Sequence, residues 1–138
     1  MDLGNRVLQL CQDGMRAEAR GRPAEARALY EKAWAARADD YDACVVAHYL
    51  ARQQDSPSAA LRWNTEALRH ADAVGDDRVA TFYPSLHISV AMAHEQLGDP
   101  AAARGAYERA AEHGAALPAG EYGDQLRAAI ADGLRRLS

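Results

Sequence analysis

The residues with the most chemistry to offer are cysteines and histidines on predicted helices. Cys44 and His48 stand four positions apart, which places both side chains on one face of a helix. Thiolate and imidazole groups are common zinc ligands, and His87 on a neighbouring helix would add a third. No residue supplies a compelling fourth ligand, and a neutral, hydrogen-bonded histidine inside a helical protein is the commoner arrangement. The sequence therefore predicts no metal site and no cofactor.

Catalytic motifs are equally sparse. The chain has neither a phosphate-binding nor a dinucleotide-binding glycine loop, and it lacks the serine elbow of the hydrolases. His94 and Glu95 begin a zinc-protease motif whose second histidine is missing. His87 and His94 lie seven apart on one helix face, where core packing is the ordinary explanation. We therefore predict that the chain is not an enzyme, since an enzyme would need these histidines clustered in a pocket with strongly shifted pKa values.

Composition excludes several classes of partner. The 138 residues carry a net charge of −4 and a single lysine, Lys32, so no basic patch predicts nucleic-acid binding. No apolar run approaches the length of a membrane span, and polar residues break any signal-peptide core near the N-terminus. Cys11 and Cys44 form no C-x-x-C motif and are predicted to stay reduced. We expect a cytoplasmic protein that binds neither nucleic acid nor membrane.

An internal repeat determines where these residues lie. A small residue, an aromatic residue and a second small residue recur with helical spacing, most clearly as Ala26, Tyr30, Ala33 and as Ala103, Tyr107, Ala110. A weaker copy reads Ala60, Asn64, Ala67. A proline precedes each copy at the same offset, and the intervals from Pro23 to Pro57 and from Pro57 to Pro100 are 34 and 43 residues. A period near 34 residues is typical of helical repeat arrays.

Apolar periodicity then divides the chain into seven predicted helices. They cover residues 3–20, 23–38, 40–54, 57–73, about 79–97, 100–115 and a terminal segment of about 119–137. Pro84 is expected either to bend the fifth helix or to mark its start. Gly14 interrupts the first helix and predicts a close approach of a partner helix, and Gly114 is expected to end the sixth. Trp34 is assigned to the inner face of the second helix.

These residues resemble the tetratricopeptide repeat family over about residues 7 to 117. Gly14 matches its small residue in helix A, Gly21 and Gly98 its inter-helix turn, and Tyr30 and Tyr107 its aromatic residue. Repeat two departs from the pattern, with His48 at the small position and Asn64 at the aromatic one. The resemblance implies an all-α, right-handed solenoid in one domain, residues 1–138, with three antiparallel helix pairs (about 7–40, 41–75 and 76–117) and a capping helix at about 119–137.

The resemblance also implies a function. Helices A of this family line a concave groove that binds a peptide segment or a partner protein. Mapped onto this chain, the groove residues are Cys11, Met15, Asp42, Val45, Tyr49, Arg52, Ser85, Ile88, Met92 and Gln96. The carboxylate-clamp pattern of some relatives is absent, so chaperone C-terminal peptides are not the expected ligand. The alternative is a self-association or regulatory domain whose partner is a second copy of the chain.

Overall fold

The computed structural model describes residues 5–138, and this part of the chain is all-α, with 81% helix and no strand. The helices are α1 (Arg6–Ala19), α2 (Pro23–Ala36), α3 (Asp40–Arg52), α4 (Pro57–Val74), α5 (Asp77–Ala80), α6 (Tyr83–Gln96), α7 (Pro100–Glu112) and α8 (Glu121–Arg136), with a 3-10 turn at Gly114–Ala116. None of them is long and apolar enough to cross a bilayer.

The predicted helix starts are confirmed where a proline marks them, whereas Asn5, predicted inside the first helix, is its N-cap and α1 begins at Arg6. Helices α2, α4 and α7 begin at Pro23, Pro57 and Pro100, where a missing N–H costs nothing because the first turn has no acceptor for it. The Asn5 side chain accepts from two N–H groups at the start of α1, and Ser56 Oγ accepts from the N–H of Ala59 at 3.1 Å. The predicted first helix also included residues 3 and 4, which lie outside the described part.

Several helix ends lie one to three residues from their predicted positions, and two further differences change the local structure. The continuous fifth helix from about residue 79 is wrong, because the chain forms the short α5, leaves the helix at Thr81 and Phe82, and starts again as α6. Pro84 therefore stands in the first turn of α6, where its ring meets no preceding helical turn. Gly114 does not end α7 in a left-handed conformation. His113 is the C-cap and Gly114 opens the 3-10 turn.

The chain divides into two compact units, the first ending at Ala73 and the second running from Val74 to Ser138. In unit 1, α1 packs along α2, and both contact α3. In unit 2, α6 packs along α7, and both contact α8. Helices therefore pack with their sequence neighbours in each unit, an arrangement that is consistent with a repeat array.

Glycine and tyrosine set the closest helix contacts in both units. A Cβ built on Gly14 of α1 would lie 2.4 Å from Cε1 of Tyr30 in α2, which confirms the predicted close approach. In unit 2 a Cβ built on Gly133 of α8 would lie 2.4 Å from Cζ of Tyr107 in α7. Both tyrosines are almost fully buried. In each of these two contacts, a large tyrosine ring therefore packs directly against the glycine backbone of the neighbouring helix.

Alanine is the most frequent buried residue in the described part of the chain. Ala26 and Ala103 have no exposed surface, as the repeat register predicts. Ala60, the matching residue in α4, is partly exposed, so the register does not bury it. The residues that α4 does bury begin only at Asn64 and continue through Ala67 and Ala71.

Candidate functional site

The exposed and partly exposed members of the predicted groove in unit 1 come together on one surface. Met15 on α1 is 38% exposed, and Tyr49 and Arg52 follow one another by one helical turn on α3. A depression of about 340 Å³ lies here, lined by Met15, Glu18, Ala19 and Arg52. We call the surface formed by Met15, Glu18, Tyr49 and Arg52 the α1/α3 face.

Ring stacking and ion pairing hold the α1/α3 face in place. The Tyr49 ring stacks on that of Tyr30, with centroids 5.2 Å apart and planes inclined by 10°. Arg52 reaches Glu18 across the helices at 2.8 Å, and its guanidinium lies 5.9 Å from the Tyr49 centroid. The Tyr30 hydroxyl donates a hydrogen bond to the same Glu18 carboxylate. Burial and then Glu18 raise the pKa of Tyr30, so this tyrosine remains a donor.

The equivalent position in unit 2 carries the same three residue types. Tyr107 donates to Glu95 Oε1 at 2.6 Å, and Arg136 of α8 lies 3.0 Å from that oxygen. Arg136 and then Tyr107 lower the pKa of Glu95, while burial and then Glu95 raise the pKa of Tyr107 to about 12. Met92 on α6 is half-exposed at 50%. On the same helix Ser85 is partly exposed and Gln96 is exposed.

Four of the predicted groove residues are buried instead: Cys11, Asp42, Val45 and Ile88. Asp42 has a structural explanation. Its carboxylate accepts from Asn5 Nδ2 and from the N–H of Ala38, each at 3.0 Å, and so joins the start of α1 to the turn before α3. Any contact with a partner would therefore depend on the exposed members of the set.

Neither cysteine is placed to react. Both are free thiols in the interior. Burial, and to a lesser extent Asp42, raises the pKa of Cys11 to about 12, and burial with Asp72 raises that of Cys44 to about 11. Because the thiolate is the reactive form, both cysteines are inert at neutral pH while the chain is folded.

Cys44 and His48, the best metal-ligand candidates of the sequence, gain no support as ligands from their surroundings. Within residues 5–138, no group of three histidine, cysteine or acidic side chains is close enough to share an ion. Burial and Arg52 lower the pKa of His48, and Asn64 opposes them as a hydrogen-bonding neighbour. His48 Nδ1 and Asn64 Oδ1 nevertheless have no partner within hydrogen-bonding geometry. His48 on α3 and Asn64 on α4 are the residues that depart from the repeat pattern of the sequence, and in the structure they are neighbours.

His87 belongs to a stack of three rings. It is 9% exposed, and its ring lies nearly parallel to those of Tyr83 and His113, with centroids 6.0 and 5.6 Å away. Tyr83 and His113 themselves stack at 4.6 Å. Flat stacking of this kind turns the ring faces, not the nitrogen lone pairs, toward one another, so the three rings pack α6 against the end of α7.

Sequence reasoning missed a second cluster, on α2 and α4 of unit 1. Trp34 is only half-buried and meets Trp63 edge to face, with centroids 5.0 Å apart. His70 lies beside Trp34. Its Nδ1 lies 2.7 Å from Asp40 Oδ1, and its Nε2 lies 3.0 Å from Glu66 Oε1. The sequence contained a signal for this cluster. Each tryptophan is adjacent to a repeat residue, Ala33 or Asn64, and neighbouring helix residues point in different directions, so the tryptophan side chains turn away from the inner face.

In comparisons with known proteins, no protein-family model and no curated protein matches the chain. The function of the site is therefore inferred from its own residues.

Proposed function

We propose that this chain is a tetratricopeptide-like solenoid that acts as a protein-interaction module and binds a peptide segment of a partner protein on the α1/α3 face. The observation that carries the proposal is the exposed Met15 and the partly exposed Tyr49, whose ring is held by stacking, beside the Arg52–Glu18 ion pair. Tyrosine offers a large ring with a polar tip, and methionine adapts its shape to varied partners.

The rigidity of the Tyr49 and Arg52 side chains, and not only the exposure of the α1/α3 face, supports a role in binding. Tyr49 is held by stacking and Arg52 by Glu18, so neither side chain has to be ordered when a partner arrives. Each side chain that would otherwise be immobilised costs roughly 0.5–1.5 kcal/mol of binding free energy. When a flexible peptide binds in the depression, the main entropic cost is therefore the ordering of the peptide itself.

The test is partner capture from a native lysate followed by titration of the captured segment. Removing an aromatic anchor commonly costs about 2 kcal/mol, or about thirtyfold in affinity, so Tyr49→Ala should weaken binding by that order. Met15→Ala should act in the same direction without a loss of fold, because its side chain is exposed. Arg104→Ala and Glu108→Ala are the controls, since that ion pair is exposed on α7 and contributes little.

Equal losses in the control pair and no loss in the α1/α3 pair would reject the proposal. Self-association is the competing outcome, and sedimentation equilibrium distinguishes it. A mass that rises above 14.9 kDa with concentration, and that Tyr49→Ala returns to 14.9 kDa, would assign the face to a second copy of the chain.

A further inference from the structure

A cleft in unit 1 contains both tryptophans of the chain. It has a volume of about 300 Å³ and is lined by Trp34, Arg62, Trp63 and Glu66. We call these four residues the tryptophan cleft. It lies on α2 and α4 and shares no residue with the α1/α3 face, so binding in the cleft is independent of the proposed function.

The aromatic walls of the tryptophan cleft are fixed before any ligand binds. Trp63 stands perpendicular to Trp34, at an interplanar angle of 90°. Arg37 covers Trp34 with its guanidinium 3.9 Å from the ring centroid, and its Nη1 donates to the Trp34 carbonyl oxygen at 2.7 Å. Tryptophan and arginine are the residues most enriched at the energetic centres of protein interfaces.

The polar groups of the cleft that lack a partner are all donors. Within the described residues, neither indole N–H makes a hydrogen bond and neither nitrogen is sealed from solvent. Arg62 is exposed and has no carboxylate partner among residues 5–138, whereas most arginines of the chain have one. The cleft therefore presents two neutral donors and one cation that no acceptor on this part of the chain occupies.

The one carboxylate of the cleft is already engaged. Glu66 accepts hydrogen bonds from Arg69 and His70, and chiefly Arg69 lowers its pKa. The Glu66 carboxylate is therefore ionised, and its negative charge is balanced by the neighbouring Arg69. It offers little attraction to a cationic ligand. The net charge of −4 gives no support for a polyanion such as nucleic acid.

From this complementarity we propose that the tryptophan cleft binds an acidic peptide segment of a partner protein. An apolar side chain of the segment packs against the two indole rings. An adjacent carboxylate accepts from Arg62, whose planar guanidinium matches a carboxylate through two parallel hydrogen bonds. The two indole N–H groups meet acceptors on the peptide backbone.

The chemistry of the ligand can be tested by selecting random tryptophan-free peptides displayed on phage, in parallel on the full chain and on its Trp63→Leu variant. Sequences enriched only on the wild type should carry an excess of Asp and Glu next to an apolar residue. Enrichment of basic or purely apolar sequences, equal enrichment on both proteins, or no enrichment at all would overturn the proposal.

The most enriched peptide is then synthesised and titrated by tryptophan fluorescence, which reports directly on the cleft because the chain has no other tryptophan. Arg62→Ala should weaken binding by about tenfold, the usual effect of losing a hydrogen bond to a charged group. Arg109→Ala is the matched control, since Arg109 is also exposed and without an ion-pair partner in the described residues, but lies in unit 2. An unchanged affinity in Arg62→Ala, or an equal loss in Arg109→Ala, would refute the assignment. Tyr49→Ala should leave this affinity unaltered.

Discussion

Gly14 and Tyr30 illustrate how a single residue sets the distance between two helices. The Cα of Gly14 lies against the tyrosine ring, which leaves no room for a methyl group. Glycine lowers helix stability by about 1 kcal/mol relative to alanine, so its presence in the middle of α1 is a cost that the close packing offsets.

We therefore expect Gly14→Ala to destabilise the fold despite its better helix propensity. Overpacking costs roughly 1–3 kcal/mol, which exceeds the gain of about 1 kcal/mol from propensity. The control is Gly105→Ala in α7, where the nearest atom to the new Cβ would be Arg109 Nη1 at an ordinary 3.5 Å. That variant should gain stability by up to about 1 kcal/mol. Urea denaturation of both variants measures the contrast, and a stabilised Gly14→Ala protein would contradict the contact.

Among individual residues, those at helix contacts could be predicted from the sequence better than those at the surface. Gly14 stands out because an interior glycine needs a packing reason, and Tyr30 and Tyr107 because they recur in register. Cys11 and Asp42 were expected in the groove because helix periodicity does not distinguish a groove-lining position from one that a neighbouring helix covers. The tryptophan cleft was missed because Trp63 belongs to the repeat copy that departs most from the pattern.

Among the helices, α8 has a clear structural role in unit 2. Gly133 lies against the Tyr107 ring, Ile130 is 7% exposed, and Arg136 reaches Glu95. Apolar contact and an ion pair therefore both join α8 to the α6–α7 pair. Their contributions differ, because an exposed ion pair contributes little compared with buried apolar surface.

Truncation before Ala119 should consequently lower the melting temperature sharply and cause aggregation. The cut uncovers the Tyr107 ring and the surface that Ile130 covers, a loss of several kcal/mol at about 25 cal/mol per Å². Arg136→Ala keeps the helix and removes only its ion pair, so it should melt close to the wild type. Circular dichroism melting and sedimentation velocity measure both variants. If the truncated chain melts unchanged as a monomer, α8 is not a structural cap.

Helix starts were predictable from the sequence and some helix ends were not. Proline at the first position of α2, α4 and α7, and the Asn5 and Ser56 caps, act through local geometry that a sequence displays directly. The interruption between α5 and α6 was not visible because residues 77–97 contain no glycine and keep an apolar pattern throughout. Only Pro84 indicated a boundary, and a proline alone is compatible with either a bend or a start.

For the whole molecule, the shifted groups define the pH range of greatest stability. Tyr107 has its pKa raised from 10.0 to about 12 and Cys44 from 9.0 to about 11, so the folded state resists losing these protons. Their stabilising contribution is complete below the unfolded values and is lost as the pH rises toward the folded ones. The free energy of unfolding should therefore decline above about pH 9.

His48 acts at the other end of the range. Its pKa lies below the ordinary 6.5, chiefly through burial, so the unfolded chain binds this proton more readily than the folded one. Stability is then fully present above pH 6.5 and falls as the pH decreases below it. Glu66 and Glu95, whose pKa values are lowered, add a further loss when they are protonated in more acidic solution.

We expect urea denaturation across the pH range to give a plateau near neutrality with a declining acid limb that begins at about pH 6.5. His48→Gln keeps a polar side chain of similar length but does not titrate, so its acid limb should begin only where the carboxylates protonate. His94→Gln is the matched control, because His94 is a partly exposed histidine on α6 and its removal should leave the limb in place. If the wild type and His48→Gln lose stability in parallel between about pH 6.5 and 5, the acid limb does not come from His48. His48, whose Nδ1 is buried and short of a hydrogen-bond partner, would then have to take up its proton in the folded chain as easily as in the unfolded one.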